Sequence, residues 1–163
     1  MFRFGSCFAA LIALLSAISL TPFFKIFVAS SVRFDAWLAS MALSWLGQRT
    51  HSIGDTIISS RFAVSVLNEC SASEFVTFLW AGLLAFPTTL RRKTAGLVLG
   101  TLLVILVNLA RIVTLFLIGA HRPRFFTLAH EELWPGCFVI AIILFVAGWA
   151  SWATGKDGTH ADA

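Results

Sequence analysis

Charged residues are scarce in this chain, and their scarcity excludes whole classes of protein. They make up 12% of the 163 residues, against 58% hydrophobic residues, and the mean hydropathy is +0.88. A globular protein cannot cover its surface with so few charges. A soluble domain is therefore excluded, and a single membrane-embedded domain over residues 1–163 is predicted.

Paired cysteines and a basic patch are missing too. The three cysteines, Cys7, Cys70 and Cys137, form neither a C-x-x-C pair nor a metal-ligand spacing, and two of them fall in predicted spans. No disulfide framework, metal site or organic cofactor is therefore expected. The formal charge is +4, yet the basic residues are scattered or lie at span ends, which argues against nucleic acid as a partner. Tyrosine is absent, whereas the many Phe and Trp residues suit lipid-facing and interfacial positions.

Four apolar stretches have about the length that a helix needs to cross a hydrocarbon core of roughly 30 Å. They lie at about residues 4–24, 74–90, 94–118 and 136–153. The sequence therefore predicts an all-α integral membrane protein with about four transmembrane helices.

The first stretch allows a second interpretation. Arg3 precedes a short apolar run, as in a secretory signal peptide that is cleaved. We favour an uncleaved span because no clear A-x-A site precedes Pro22.

The short loop that carries Arg91, Arg92 and Lys93 indicates the orientation. Three consecutive cations between two spans place a loop in the cytoplasm. With four spans, both termini are then cytoplasmic, and residues 25–73 form an outer segment.

The outer segment is predicted to hold two small elements. Residues 32–47 carry two Trp residues and, near their start, Asp35. They are short for a span and predict an amphipathic helix in the membrane interface, with a short re-entrant helix as the alternative. Residues 48–69 are polar and rich in β-branched side chains around a turn at Gly54. They predict a small extracytoplasmic β-hairpin that leads into Cys70.

Cys70 is the candidate nucleophile. It stands where this polar segment meets the apolar run that begins at Phe75. At the start of a membrane helix, the positive end of the helix dipole favours the thiolate. A buried structural cysteine is the alternative, but the neighbours are polar, unlike those of a core residue. They are Asn68, Glu69, Ser71, Ser73 and Glu74.

Arg111 is the residue hardest to explain as structural. An arginine inside a membrane helix costs about 2.5 to 3.5 kcal/mol on insertion scales and usually faces a bundle interior with a partner. The alternative is that its long side chain reaches the interface. Asn108 stands three residues earlier on the same helix face, so the pair predicts a polar site.

His130 is the candidate base. It is predicted at the mouth of the fourth span beside Glu131 and Glu132, on the same side as Cys70. The alternative is an ordinary solvated loop histidine. His121 is a second candidate base that proximity alone does not exclude.

Together these residues specify a reaction class. A cysteine with a histidine base performs acyl transfer, and an arginine beside them can hold an oxyanion or a substrate carboxylate. The predicted substrate is a peptide bond of another membrane-anchored chain, presented at the outer leaflet.

These motifs resemble those of the exosortase/archaeosortase family of membrane cysteine transpeptidases. The family has a Cys-Ser-Gly-like turn at the head of a span, an N-x-x-R in the next span and a histidine at the outer mouth of the span after that. Here alanine replaces the glycine, and the resemblance covers residues 62–152. In chain order the motifs read Cys70-Ser71-Ala72, Asn108-Leu109-Ala110-Arg111 and His130.

The resemblance implies both a site and a function. Cys70, Arg111 and His130 would be catalytic, with Asn108 and Ser71 in support. The enzyme would recognise a C-terminal sorting signal on membrane-anchored proteins, cleave it through a cysteine thioester, and pass the acyl group to an amine or to water. The compact size is similar to the exosortase H subgroup, which the family pairs with IPTLxxWG-type signals. The implied location is the bacterial inner membrane, surrounded by lipid, with the active site on the outer face.

Two other functions stay open at the level of sequence. A four-span, quinone-using thiol oxidoreductase would need paired outer cysteines, and only Cys70 is predicted outside the membrane. In a non-catalytic membrane scaffold or accessory subunit, Cys70 would be incidental.

Overall fold

The computed structural model describes residues 2–60, 62–66 and 72–155 of the chain, which are mostly helical. A 3₁₀ turn (Pro123–Phe125) and a π-helical turn (Ala129–Leu133) flank the short helix α5 (Phe126–Leu128). The helices are α1 (Phe2–Ser19), α2 (Pro22–Trp45), α3 (Ser73–Ala85), α4 (Leu90–His121), α5 (Phe126–Leu128) and α6 (Trp134–Thr154). The strands are β1 (Thr50–Ile53), β2 (Thr56–Ser59) and β3 (Ala63–Ser65).

Three helical segments in the described part of the chain are long and apolar enough to cross a membrane. They are Pro22–Trp45, Leu90–His121 and Pro123–Thr154. The predicted spans at 94–118 and 136–153 fall within the last two. α3 has only 13 residues, because the chain leaves helical geometry at Phe86. Phe86 precedes Pro87, and the α conformation is disfavoured for a residue before a proline. The predicted span at 74–90 is therefore cut short, and four transmembrane helices are not confirmed.

The predicted first span is divided between two helices. α1 ends at Ser19 and α2 begins at Pro22, so residues 4–24 cross the break. Thr21 caps α2, since its Oγ1 accepts a hydrogen bond from the amide N–H of Phe24 at 3.3 Å. Pro22 suits the first helical turn because its missing N–H would have no partner there.

The predicted interfacial helix is the second half of α2. α2 continues without interruption for 24 residues, or roughly 36 Å at about 1.5 Å per residue, so an interfacial position is not confirmed. Its buried apolar side chains recur every three or four residues and face the bundle. They are Val28, Val32, Ala36, Ala39 and Leu43.

The predicted hairpin is part of a three-stranded antiparallel sheet in the order β1-β2-β3. Between β1 and β2, Ile53 pairs with Thr56, and Gly54 takes a φ of +63°, which favours glycine. β3 joins the sheet through pairs such as Val64 with Ile57, and the Ile57 side chain is fully buried.

The sheet lies over the C-terminal parts of α2 and α4. The Thr50 hydroxyl donates to the carbonyl oxygen of Ser40 in α2 at 3.1 Å. The Phe62 ring packs edge-on against Phe116 of α4, with 5.5 Å between ring centroids. It also occupies the space that a side chain at Gly119 would need.

α4 is the central helix, and it packs against α2, α3 and α6. Two glycines one turn apart let its neighbours approach closely. A Cβ atom at Gly100 would lie 2.7 Å from Leu79 Cδ2 and 2.8 Å from Phe145 Cε1, and one at Gly96 would collide with the Trp149 ring.

The contacts at the start of α4 fix the directions of its neighbours. Lys93 Nζ donates to the carbonyl oxygen of Leu84 at the end of α3, at 2.6 Å. Arg92 Nη1 donates to the carbonyl oxygen of Ala153 at the end of α6, at 2.9 Å. α3 and α6 therefore run antiparallel to α4. We call this end of the bundle the basic end, and the opposite end, where α3 and α6 begin and α4 finishes, the distal end.

Candidate active site

Asn108 and Arg111 are buried on one face of α4. Their side chains are 2% and 6% exposed, and their three-residue spacing stacks them on the same side of the helix. Arg111 lies ten residues before the end of α4, or roughly 15 Å below it. Arg111 therefore lies inside the bundle and does not reach the surface.

Asn108 is held by a carboxylate of another helix. Its Nδ2 donates to Oδ2 of Asp35 in α2 at 3.0 Å, and Asp35 itself is partly buried. The other amide atom, Oδ1 of Asn108, has no hydrogen-bond partner among the described residues. This bond ties α2 to α4 and leaves one buried acceptor unused.

Arg111 contacts an aromatic ring near the start of α6. Its Cζ lies 5.9 Å from the centroid of the Phe138 ring, within the range of a cation–π contact. Phe138 in turn stacks on Phe75, with 4.3 Å between centroids and 10° between the ring planes. In the described part of the chain, the Nε atom of Arg111 has no hydrogen-bond partner.

Cys70 and Ser71 lie outside the described residues. Ser73, which begins α3, follows Cys70 by three residues, and Phe75 is the third residue of that helix. In sequence, Cys70 therefore stands just before the first turn of α3. Phe75 in that turn stacks on Phe138, the ring that Arg111 contacts.

His130 belongs to the π-helical turn that precedes α6. Such turns occur often at functional sites. The ring is partly buried and stacks on Phe126, with 5.9 Å between centroids and 6° between planes. His130 precedes Phe138 by eight residues, or roughly 12 Å of helix. It therefore shares the distal end with Arg111 but lies further out.

His121 is the alternative histidine, and it is exposed at the end of α4. Its Nδ1 lies 3.0 Å from the carbonyl oxygen of Leu117, which ties the ring to its own helix. The other ring nitrogen, Nε2, does not take part in that contact.

A cavity of about 730 Å³ opens beside the start of α3. Its polar wall comes from three helices, α1, α2 and α3. The residues are Ser16, Ser19, Lys25, Ser73, Glu74 and Thr77. The volume is that of a site for a small ligand or a short peptide segment. No group of three or more His, Cys, Asp or Glu side chains suited to a metal ion occurs in the described ranges.

The family comparison covers almost the whole chain. The family model described as Transmembrane exosortase (Exosortase_EpsH) matches residues 4–149. The chain belongs to the transmembrane exosortase family. Cys70, Asn108, Arg111 and His130 all lie within the matched region. No curated protein and no solved structure matches the chain. Family and apolar helices together make this exosortase a membrane protein.

Asp35 is the residue of the buried cluster that sequence reasoning missed. The interfacial interpretation of residues 32–47 placed it at the water boundary, where a carboxylate needs no explanation. In the structure it lies in the middle of an apolar helix of 24 residues. An ionisable residue in such a helix indicates a functional site, and this signal was available once α2 was recognised as continuous.

Proposed function

We propose that this exosortase is a membrane cysteine transpeptidase that cleaves C-terminal sorting signals of other exported proteins through a thioester on Cys70. Members of the family are generally cysteine transpeptidases. The observation that carries the proposal is the buried Asn108–Arg111 pair. Arg111 contacts the Phe138 ring, and Phe138 stacks on Phe75 in the first turn of the helix that follows Cys70.

The first half-reaction forms the thioester. His130 takes the proton of the Cys70 thiol, and the sulfur attacks the carbonyl carbon of the scissile peptide bond. The C–N bond of the tetrahedral intermediate then breaks, and His130 returns the proton to the leaving amine. The C-terminal part of the signal departs, and the substrate remains bound to Cys70 as an acyl group.

The second half-reaction regenerates the enzyme. An acceptor amine, or water, attacks the thioester carbonyl while His130 takes its proton. The C–S bond breaks, the new amide or carboxyl product leaves, and Cys70 recovers its proton. Each half-reaction passes through a tetrahedral intermediate that carries an oxyanion. Arg111 is the cation available to stabilise this oxyanion. A buried guanidinium suits this task because its attraction for an oxyanion is weakly screened there.

The substrates are membrane-anchored proteins whose C-terminal signal is of the IPTLxxWG type. The three cations at the basic end, Arg91, Arg92 and Lys93, favour a cytoplasmic location for that end. The distal end, with His130 and the start of α3, would then face the outside of the bacterial inner membrane. A substrate whose own span crosses the bilayer would present its signal motif at the same level.

The test is co-expression with a tagged membrane protein that ends in an IPTLxxWG-type signal, span and basic cluster. Signal removal is followed by gel mobility for the wild type, Cys70→Ala and Cys137→Ala. Cys137 is a matched control because it is a free, exposed cysteine in the first turn of α6. We expect processing by the wild type and by Cys137→Ala, and complete loss in Cys70→Ala with normal membrane insertion.

Each other outcome argues for a different function. No processing by the wild type, together with a mixed disulfide that resolves into an intramolecular one, would support a thiol oxidoreductase. Full processing by Cys70→Ala would exclude the thioester route.

A further inference from the structure

The Asp35–Asn108 hydrogen bond determines which end of the Asn108 amide faces the buried site. An ionised carboxylate accepts hydrogen bonds and cannot donate them. The Nδ2 atom of Asn108 must therefore face Asp35, where it lies 3.0 Å from Oδ2. The Oδ1 atom is consequently turned away from Asp35. Without an acceptor at this position of α2, nothing would hold the NH₂ group away from the site.

This orientation completes a pair of unused groups with opposite character. Asn108 Oδ1 is a buried acceptor, and Arg111 Nε is a buried donor, and neither has a partner in the described ranges. The two side chains are more than nine-tenths buried. Native proteins rarely leave buried polar atoms unpaired, so the pair indicates a ligand with one donor and one acceptor.

One extended residue of a peptide is such a ligand, because its N–H and C=O point to the same side of the chain. We propose that Asp35 is a positioning residue that turns Asn108 so that Asn108 and Arg111 together bind the N–H and C=O of one extended residue of the substrate. Asn108 Oδ1 accepts a hydrogen bond from the substrate N–H, and Arg111 Nε donates one to the substrate C=O. This inference rests on the proposed function, since it requires a peptide in the site.

The arrangement has a consequence for specificity. A pair that binds backbone groups holds a chain in place whatever its side chains are. Asn108 and Arg111 would therefore set the position of the substrate backbone relative to Cys70. The preference for a particular signal motif would come from other contacts.

The first arm of the test separates orientation from charge. Processing of the tagged IPTLxxWG-type substrate is measured with purified enzyme in lipid vesicles, and kcat and KM are determined separately. Asp35→Leu removes the acceptor, and we expect a loss in kcat/KM of roughly ten- to a hundredfold. Asp35→Asn removes the charge but keeps an oxygen that can accept from Asn108 Nδ2. We expect it to stay within about threefold of the wild type.

The second arm is a rescue. Asn108→Asp alone places two carboxylates face to face across the 3.0 Å contact, so activity should fall steeply. Adding Asp35→Asn supplies an NH₂ donor at position 35. The second carboxylate oxygen at position 108 still faces the substrate as an acceptor. We expect the double variant to regain at least about tenfold over Asn108→Asp.

Two controls separate positioning from simple packing. Ser40→Ala removes another buried polar side chain of α2 and should leave kcat/KM unchanged. Thermal unfolding in detergent is recorded for every variant, because a positioning role predicts lost activity at a retained Tm. Solvent exchange of the Asn108 side-chain NH₂ protons, followed by NMR, should be slow in the wild type and fast in Asp35→Leu.

The outcomes distinguish this inference from the proposed function. An inactive wild type would overturn the proposed function and the inference with it. An active wild type with an equally active Asp35→Leu would overturn the inference alone. So would equal losses in Asp35→Leu and Asp35→Asn, because the charge and not the amide orientation would then matter.

Discussion

Two arginines of α4, Arg92 and Arg111, differ in their hydrogen bonding. Arg92 donates to the carbonyl oxygens of Ala153 at 2.9 Å and Gly155 at 3.1 Å, and its guanidinium lies 5.7 Å from the Trp152 ring. Arg111 is buried, and its Nε has no hydrogen-bond partner in the described residues. At the basic end, Arg92 donates hydrogen bonds to carbonyl oxygens at the end of α6. Toward the distal end, Arg111 keeps one donor without a partner among the described residues.

The difference shows how a structural cation can be told from a functional one. The last carbonyl groups of a helix lack partners within the helix, and cations at that end are stabilising. The contacts of Arg92 with α6 and of Lys93 with α3 are therefore explained by stability alone. The contact of Arg111 with the Phe138 ring does not offset the desolvation of a buried charge to the same degree. A costly group of this kind is expected where it serves function.

The largest expected difference between the two arginines is in activity. Arg111→Lys should lower kcat by roughly 10²- to 10³-fold, because lysine keeps the charge but loses the planar fork of donors. Arg92→Lys should keep close to wild-type activity, because its partners are structural. Signal processing rates at equal protein levels measure both variants. Wild-type rates in Arg111→Lys would remove Arg111 from the proposed mechanism.

The two histidines of the distal end extend the comparison. His130→Ala should lower the rate of acylation by about 10²-fold, since it removes the general base, while expression and membrane insertion stay normal. His121→Ala should have little effect, because its Nδ1 contacts the carbonyl oxygen of Leu117 in its own helix. Trapping of the acyl-enzyme, measured over time, compares the two. Loss in His121→Ala with an unaffected His130→Ala would assign the base to His121.

The smallest expected difference is in stability, and its sign is reversed. Arg92→Met should lower the free energy of unfolding by about 1 kcal/mol, because the carbonyl groups at the end of α6 lose their partner. Arg111→Met should leave stability unchanged or raise it, because it removes a buried charge with an unused donor. Thermal unfolding of the purified proteins in one detergent measures both. A clear destabilisation by Arg111→Met would indicate that Arg111 is structural after all.

Local signals in the sequence determined much of the outline. The scarcity of charge predicted a membrane protein, and the helical period put Asn108 and Arg111 on one face. These features depend on neighbours within a few residues, so they can be read without the fold. The motifs around Cys70, Asn108, Arg111 and His130 led to the family in the same way, while their roles stay predictions.

Only the tertiary structure decided how the helices meet. The bond between Asn108 and Asp35 joins residues 73 positions apart, and the contact between Arg111 and Phe138 joins two different helices. The third strand and the continuity of α2 also went beyond the predicted hairpin and interfacial helix. Periodicity gives the face that a helix buries, but not the partner against which it is buried. That partner depends on which surfaces can pack most closely. In α4, Gly96 and Gly100 let the neighbouring helices approach. Such a fit between surfaces is a property of the whole bundle.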